Sequence, residues 1–414
     1  MGADKRIGVG VVMALVMLVR VGWWKRTEVK VTDGQRIKIS ARVRQIPITV
    51  SGIFVAVPEE INVEYGDKIE VVGTVEERVT ADGRRYLRLI DQDLRKIEIG
   101  GGWGRYLAGI RQKTFYNLRR WLGGDEGELA GGIVVGGSGE MSQEGRDNFR
   151  RTGVAHILAA SGYNVSVVAG VILTTMSMVT GRKWAMWFVI LGVCLYMFLA
   201  GMSAAVVRAG IMGTLAVLGL MLGRKGDGYW LLVISSWGMV MINPGYVGDI
   251  GFQLSVAATA GVLWASPQDL TLNPSPNISQ ARGFAVGEGN RFLKSIGEDF
   301  KITMAAIGMT TPLILHHFGN LSVAAPVVNL LVVPVVPVVM GVAGVASVAG
   351  LAVPVLGQVV SWMAWPVLKY MTEVVNWFGS QSWSSREVGT ISWWWVIGYY
   401  LALVICIKCW RWWR

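Results

Sequence analysis

Residues 181–225 read GRKWAMWFVILGVCLYMFLAGMSAAVVRAGIMGTLAVLGLMLGRK. Two apolar runs, Trp184 to Ala200 and Ala204 to Leu222, lie between two short basic loops, Gly181-Arg182-Lys183 and Gly223-Arg224-Lys225. A helix needs about 20 apolar residues to cross a bilayer core, so the stretch reads as a transmembrane hairpin. Both basic loops fall on one side, and the positive-inside rule assigns that side to the cytoplasm.

The same reading extends outward. Ile7 to Trp24, Gly153 to Thr180, Tyr229 to Ile242, Ile250 to Ala265, Ile302 to His316, Ala324 to Val353, Val355 to Phe378 and Trp393 to Ile407 are further apolar runs. Together they predict roughly nine to eleven spans, some of them short enough to be re-entrant. Composition agrees: 52% of the 414 residues are hydrophobic and 16% charged, against about a quarter charged in soluble domains. Many of the 19 Trp sit at span ends, as an interfacial belt requires. Val21-Gly22-Trp23-Trp24 lacks a small-residue cleavage site, so the first run reads as a retained anchor. The loop Pro267 to Phe300 reads as polar, mobile and cytoplasmic.

Residues 25–101 differ in kind. Arg36 to Arg44 alternates apolar Ile37, Ile39, Ala41 and Val43 with polar neighbours, the period of a half-buried strand. Ile48 to Val57, Lys68 to Val79, Tyr86 to Ile90 and Leu94 to Ile99 predict four more strands, with Asp82-Gly83 as a hairpin turn. Five short strands suit a small OB-type barrel, and other small β-barrels or sandwiches fit too. Residues 102–152 follow as an amphipathic helix from Trp103 to Leu122, lying in the membrane interface, and a Gly-rich acidic connector from Gly123 to Gly139. Residues 153–414 form the membrane domain, and residues 1–24 the leading span. The predicted fold class is a polytopic α-helical membrane protein with a small extracytoplasmic β (OB-type) domain. That side follows from the cytoplasmic loops and a single preceding span.

Several functions are excluded. Three His cannot build a His-rich two-metal hydrolase site. No G-x-x-x-x-G-K-[ST] loop occurs, so no nucleotide motor is recognisable in the chain. Cys406-x-x-Cys409 lacks a second ligand pair. No cofactor or metal is expected, and no catalytic residue is assigned. A serine hydrolase of Ser161 with His156 as base fails on spacing, since residues five apart do not face each other on a helix.

Polar groups at membrane depth are costly and border protein or a wet path. Arg150, Arg151, His156, Ser161, Asn164, Arg208, Asp249, Gln253, His316 and Asn329 are the candidates to line such a path. Gly162 reads as a break in a span. Asp249 either pairs with Arg208 or caps a helix beginning at Ile250. In the β-domain, Arg42, Arg44, Arg78, Arg84, Arg85 and Arg88, with Tyr86 as a stacking platform, are the candidates to hold a nucleic acid strand.

The string from Phe149 to Gly162, FRRTGVAHILAASG, resembles the opening signature of the ComEC family of competence proteins. Gly201-Met202-Ser203 through Arg208-Ala209, Asp249 with Gly251-Phe252-Gln253-Leu254-Ser255, and Pro312 through Phe318 with Asn329 and Pro334 resemble further blocks in the family's order. Asn164 stands where the family often has His, Tyr163 where it has Leu, and Ala204 and Ile250 where it has Pro. A disulfide seen in some members cannot form in a β-domain without cysteine. The resemblance implies translocation of single-stranded DNA across the bacterial cytoplasmic membrane during natural transformation. The chain stops at Arg414 without the metallo-β-lactamase-like domain of many members, so strand degradation is expected of another protein. Implied partners are single-stranded DNA, membrane lipid, and a separate nuclease, DNA receptor and cytoplasmic motor; a homo-oligomer is allowed. A small-solute transporter and a scaffold recruiting nuclease or motor are the alternatives.

Overall fold

The computed structural model describes residues 3–27, 32–42, 48–50, 53–55, 67–79, 85–98, 103–137, 141–224, 226–265 and 289–413. The chain divides into two compact units, Leu18–Lys113 and Met1–Met17 with Thr114–Arg414. Helix α1 (Ala3–Thr27) covers the leading apolar run.

The smaller unit contains a five-stranded sheet of order β1-β4-β5-β3-β2. Its strands are β1 (Arg36–Arg42), β2 (Ile48–Val50), β3 (Ile53–Val55), β4 (Lys68–Val79) and β5 (Arg85–Glu98). In β4 the period of two is explicit: Ile69, Val71 and Val75 are buried while Lys68, Glu70 and Glu76 are not. Two expectations change. The strand expected over Ile48 to Val57 is two short antiparallel strands. The two expected after Tyr86 are one strand, because β4 pairs with β5 along its length and absorbs the irregularity in a register shift between Val72 and Thr74. The Asp82-Gly83 turn lies outside the described residues. Asp67, just before β4, is fully buried and held by Lys96 Nζ at 2.6 Å and Arg105 Nη2 at 3.7 Å.

In the larger unit the sequence is least transparent where it matters most. Helix α2 (Trp103–Leu122) has the expected amphipathic pattern. From Thr114 onward, however, its apolar face meets protein: Leu118 and Leu122 are buried in the main core. The supposed connector is a helix, α3 (Gly124–Val135), buried from Gly127 to Val135. Its glycines are contact surfaces. A Cβ on Gly132 would stand 2.7 Å from the Leu158 carbonyl oxygen and 2.8 Å from that of Gly137. Glu128, 2% exposed, is neutralised by Arg119 Nε at 3.1 Å. Helix α4 (Gln143–Arg151) starts at Ser142, whose hydroxyl accepts from Gly145 N and donates to Asp125 Oδ2.

The apolar helices follow: α5 (Gly162–Thr180), α6 (Arg182–Leu199), α7 (Ala204–Met221), α8 (Gly228–Ile242), α9 (Ile250–Ala265) and α10 (Gly289–Phe318). Then come α11 (Ala325–Val332), α12 (Val336–Ala352), α13 (Pro354–Ser380) and α14 (Trp393–Trp413). Among the described residues five helical segments are long and apolar enough to cross a membrane, and α8 and α9 are shorter apolar helices. The chain is a multi-pass membrane protein by this pattern.

Two boundaries differ from expectation, and a third follows it. The run from Gly153 is not one helix: a 3-10 turn (Ala155–Leu158) precedes α5, so Gly162 starts a helix instead of breaking one. The run from Ala324 is divided at Val333–Val335, as its prolines lead one to expect: Pro334 lies in that turn and Pro337 in the first turn of the next helix, and neither has a backbone donor. Helix α10 reaches back to Gly289, into the loop expected to end at Phe300; residues 267–288 lie outside the described residues. A small ladder of β6 (Asn320–Ser322) with β7 (Ser385–Glu387) closes over the end of α4.

Removing one partner of a buried ion pair costs about 3–5 kcal/mol. Asp67→Ala is therefore expected to lower hydrogen-exchange protection of the β4 and β5 amides in the full chain by about that much. Unchanged protection would show that Lys96 and Arg105 find water instead.

Candidate functional site

Helices α5, α6 and α7 are joined by short turns and pack on one another, and α8 and α9 continue the pattern. Short connections make consecutive helices antiparallel. The N-termini of α5, α7 and α9 therefore share one end of the unit. The turn into α7 is tight, with Gly201 at φ 78° and Met202 at φ 55°, a left-handed conformation rare for a residue with a side chain.

Arg208 lies just over one turn into α7 and is 3% exposed. Its Nε and Nη2 donate to Ser255 Oγ on α9 at 3.1 and 2.8 Å, and Nη1 contacts Met212 Sδ at 2.9 Å. Among the described residues no carboxylate pairs with it. Asp249, the expected alternative partner, takes its other expected role: Oδ1 accepts from Phe252 N at 2.6 Å and caps α9. Ser161 precedes α5, and its hydroxyl donates to Asn164 Oδ1 at 3.1 Å, not to His156. Asn164 is 2% exposed and donates to Ile133 O on α3 at 2.8 Å. His156 is exposed on the 3-10 turn.

A second group adjoins α9. Gln253 Nε2 donates to Val247 O at 2.7 Å, which turns its Oε1 toward His317 Nε2, also 2.7 Å away. That nitrogen of His317 must then carry the proton. His316 Nδ1 meets Ile391 O at 2.6 Å and its ring lies 4.3 Å from that of Trp393. His317, which sequence reading passed over in favour of its neighbour, is the one that reaches the α9 terminus.

The remaining candidates lie elsewhere. Arg150 is exposed, 3.8 Å from Asp147, and Arg151 Nη2 donates to Gln381 O at 3.3 Å. Asn329 is buried and donates to Ala325 O at 2.8 Å within its own helix. In the β unit, Arg78 is opposite Tyr86 and Glu76 opposite Arg88 in the β4–β5 ladder, while Arg85 is opposite Val79, one residue off that row. Arg42 ends β1 opposite Lys68. Arg78 is engaged by Glu76. Arg44 and Arg84 lie outside the described residues. A groove of about 260 Å³ lined by Trp121, Leu122, Trp362 and Trp365 shares no residue with either group.

The blocks that build the helix-end cluster occur in the order FRRTGVAHILAASG, Arg208, Asp249 to Ser255, and Pro312 to Phe318. Residues 133–413 match the family described as competence protein. The chain belongs to the competence protein family. It is similar to ComE operon protein 3 of Bacillus subtilis (strain 168), with 24% identity over 203 residues. That alignment covers 49% of this chain and 24% of the relative, so the match spans about a quarter of the relative's length. No solved structure matches. The family match begins at residue 133, three residues before the end of α3, and runs through the helices that follow.

Losing a hydrogen bond that satisfies a buried carbonyl costs about 1–3 kcal/mol. Asn164→Ala is expected to lower the melting temperature of the purified chain in detergent, by freeing Ile133 O at the centre of the core. An unchanged melting temperature would show that the bond is dispensable.

Proposed function

We propose that this chain carries single-stranded DNA across the bacterial cytoplasmic membrane during DNA uptake, with no strand cleavage or nucleotide hydrolysis of its own. Family membership supports a role in competence. The observation that carries the conduit reading is Arg208: a guanidinium kept inside an apolar helix with only neutral partners. Insertion scales put a central Arg at about 2.5–3.5 kcal/mol unfavourable, and a passing polyanion is what such a cation serves. The basic loops at residues 181–183 and 223–224 support a cytoplasmic side opposite the N-termini of α5 and α7. In this reading the helix-end cluster faces outward, where a strand arrives. Ser161 and Gln253, at the starts of α5 and α9, lie at that end, with His317 hydrogen-bonded to Gln253.

The β unit is the proposed first contact, on the extracytoplasmic side. Its strand order supports an OB-type arrangement: β5 lies between β4 and β3, pairs with β3 in parallel, and β4 pairs antiparallel with β1. Arg78, Tyr86 and Arg88 form the row proposed to meet phosphates and a base. A separate nuclease, a DNA receptor and a cytoplasmic motor complete the process.

Transformation of a deletion strain carrying this chain or its Arg208→Ala variant tests the reading. At equal membrane abundance, the variant is expected to lose uptake by at least tenfold. Equal transformation by both would overturn the conduit role of Arg208. Single-strand binding by the full chain is expected to weaken with salt, by roughly 0.7 in logarithmic slope per phosphate neutralised. A flat salt response would remove the electrostatic contact.

A further inference from the structure

A second charged group lies on another flank of the helical unit, built from residues that sequence reading did not single out. Helix α13 has 27 residues, about 40 Å at helical rise, and Lys369 is the sixteenth of them. Tyr370, beside it, donates to Leu331 O at 3.4 Å, inside the apolar segment Ala325–Ala352 that is long enough to cross a membrane. Lys369 Nζ lies 2.9 Å from Glu373 and 3.4 Å from Glu126 on α3, and Thr372 Oγ1 donates to Glu126 at 3.0 Å. The Arg119–Glu128 pair stands next to this network, with the Arg119 backbone packed on Gly127. Protein does not seal these charges: the side chains of Lys369, Glu373 and Arg119 are 46%, 64% and 43% exposed.

Helix α4 runs along the same flank. It starts at Ser142, which is tied to Asp125 beside Glu126, and Asn148 donates to Asn376 of α13 at 3.1 Å. Gln143, Glu144, Asp147 and Arg150 are its exposed residues. Helix α3 gives the depth. Its end reaches the shared helix end, where Gly136 lies against Ala160 and the Ala200 carbonyl, and Asn164 of α5 is level with Ile133. Glu126 is seven residues back along α3, about 10 Å away from that end. Helix α5, with 19 residues, is about 28 Å long, close to the thickness of a hydrocarbon core. The network therefore lies at a level where α5 is crossing lipid.

Ionised side chains facing lipid are costly, and here they cluster. We infer that this flank faces water, and that a solvent-filled passage enters the membrane domain along α4 and α13 as far as Lys369. Water is the occupant that hydrates both signs of charge, whereas an acyl chain would leave the network unsolvated. This goes beyond the conduit reading: it says which flank is wet, not what travels along it.

The test uses the full chain in phospholipid vesicles, with Cys194, Cys406 and Cys409 replaced by serine. Glu373→Cys places a thiol in the flank and leaves the Lys369–Glu126 pair in place. Val171→Cys is the reference: it is seven residues beyond Asn164 on α5, at the same level, and 57% exposed on an apolar face. A membrane-impermeant sulfonated methanethiosulfonate is supplied on both sides of the vesicles. It reacts with thiolate, which forms in water and not in lipid, so Glu373→Cys is expected to react about a hundredfold faster than Val171→Cys. Lys369→Cys should react within about tenfold of Glu373→Cys, since the passage reaches it. N-ethylmaleimide, which enters lipid, counts the thiols present, and the melting temperature shows that each variant is folded.

Equal fast reaction at Glu373→Cys and Val171→Cys would place both outside the bilayer and overturn the passage. Equal slow reaction would show that another surface covers the flank, and overturns it too. If Lys369→Cys does not fold, Glu373→Cys against Val171→Cys decides alone. Transformation fails separately: fast labelling of Glu373→Cys with uptake unchanged upholds the wet flank and removes the strand from it. Slow labelling with uptake still lost in Arg208→Ala removes the wet flank and upholds the conduit.

Discussion

Inside hydrocarbon a polar group has no water to fall back on, and the helical unit is organised around that shortage. Asn164 spends its amide on Ile133 O, Ser347 its hydroxyl on Ala343 O, and Thr152 its hydroxyl on Asn148 O. The carbonyl of Arg151 accepts from Ser322 at 2.7 Å, which fastens the end of α4 to the β6–β7 ladder. Glu128, the most deeply buried acid of the unit, has Arg119. Against this background Arg208 stands out. Its hydrogen bonds are made, but its charge is answered only by a hydroxyl and a thioether.

Close packing without large side chains is the second constraint. Helix α3 approaches its neighbours through Gly127, Gly131 and Gly132, each of which would clash if it carried a Cβ. Trp121 makes the converse contact, its ring filling the space left by Gly350 on α12 and Gly357 on α13. Its carbonyl also accepts from Trp362 Nε1 at 3.2 Å. The last turns of α2 are thereby fixed to the α12–α13 hairpin, which explains why that part of an amphipathic helix is buried in protein.

The elements with a strong period were legible in the sequence. The hairpin of α6 and α7 is bounded within a few residues by its basic loops, and β4 shows its alternation residue by residue. Helix α3 was not legible, because Gly and acidic residues at that density look like a linker until their partners are known. The spacing Gly127-x-x-x-Gly131 was the available signal, since small residues four apart mark close helix contacts. The run from Gly153 misled in the opposite way. Its apolar content is helical in character, but Gly153 at φ 74° turns the chain before α5. At the site, sequence named the residue types and Arg208 itself. It could not tell which polar groups were committed to neighbours: Asn164 and Asn329 are tied to backbone carbonyls, while the charge on Arg208 has no such answer.

The single carboxylate at the shared helix end has a consequence of its own. Asp249 cancels the positive end of α9, while Ser161 and Ser203 make no side-chain cap at the starts of α5 and α7. The potential at that end of the helical unit is therefore uneven from one helix start to the next. Whatever charged group comes near it is met by an unequal field, set by which of the three helices has a carboxylate in front of it.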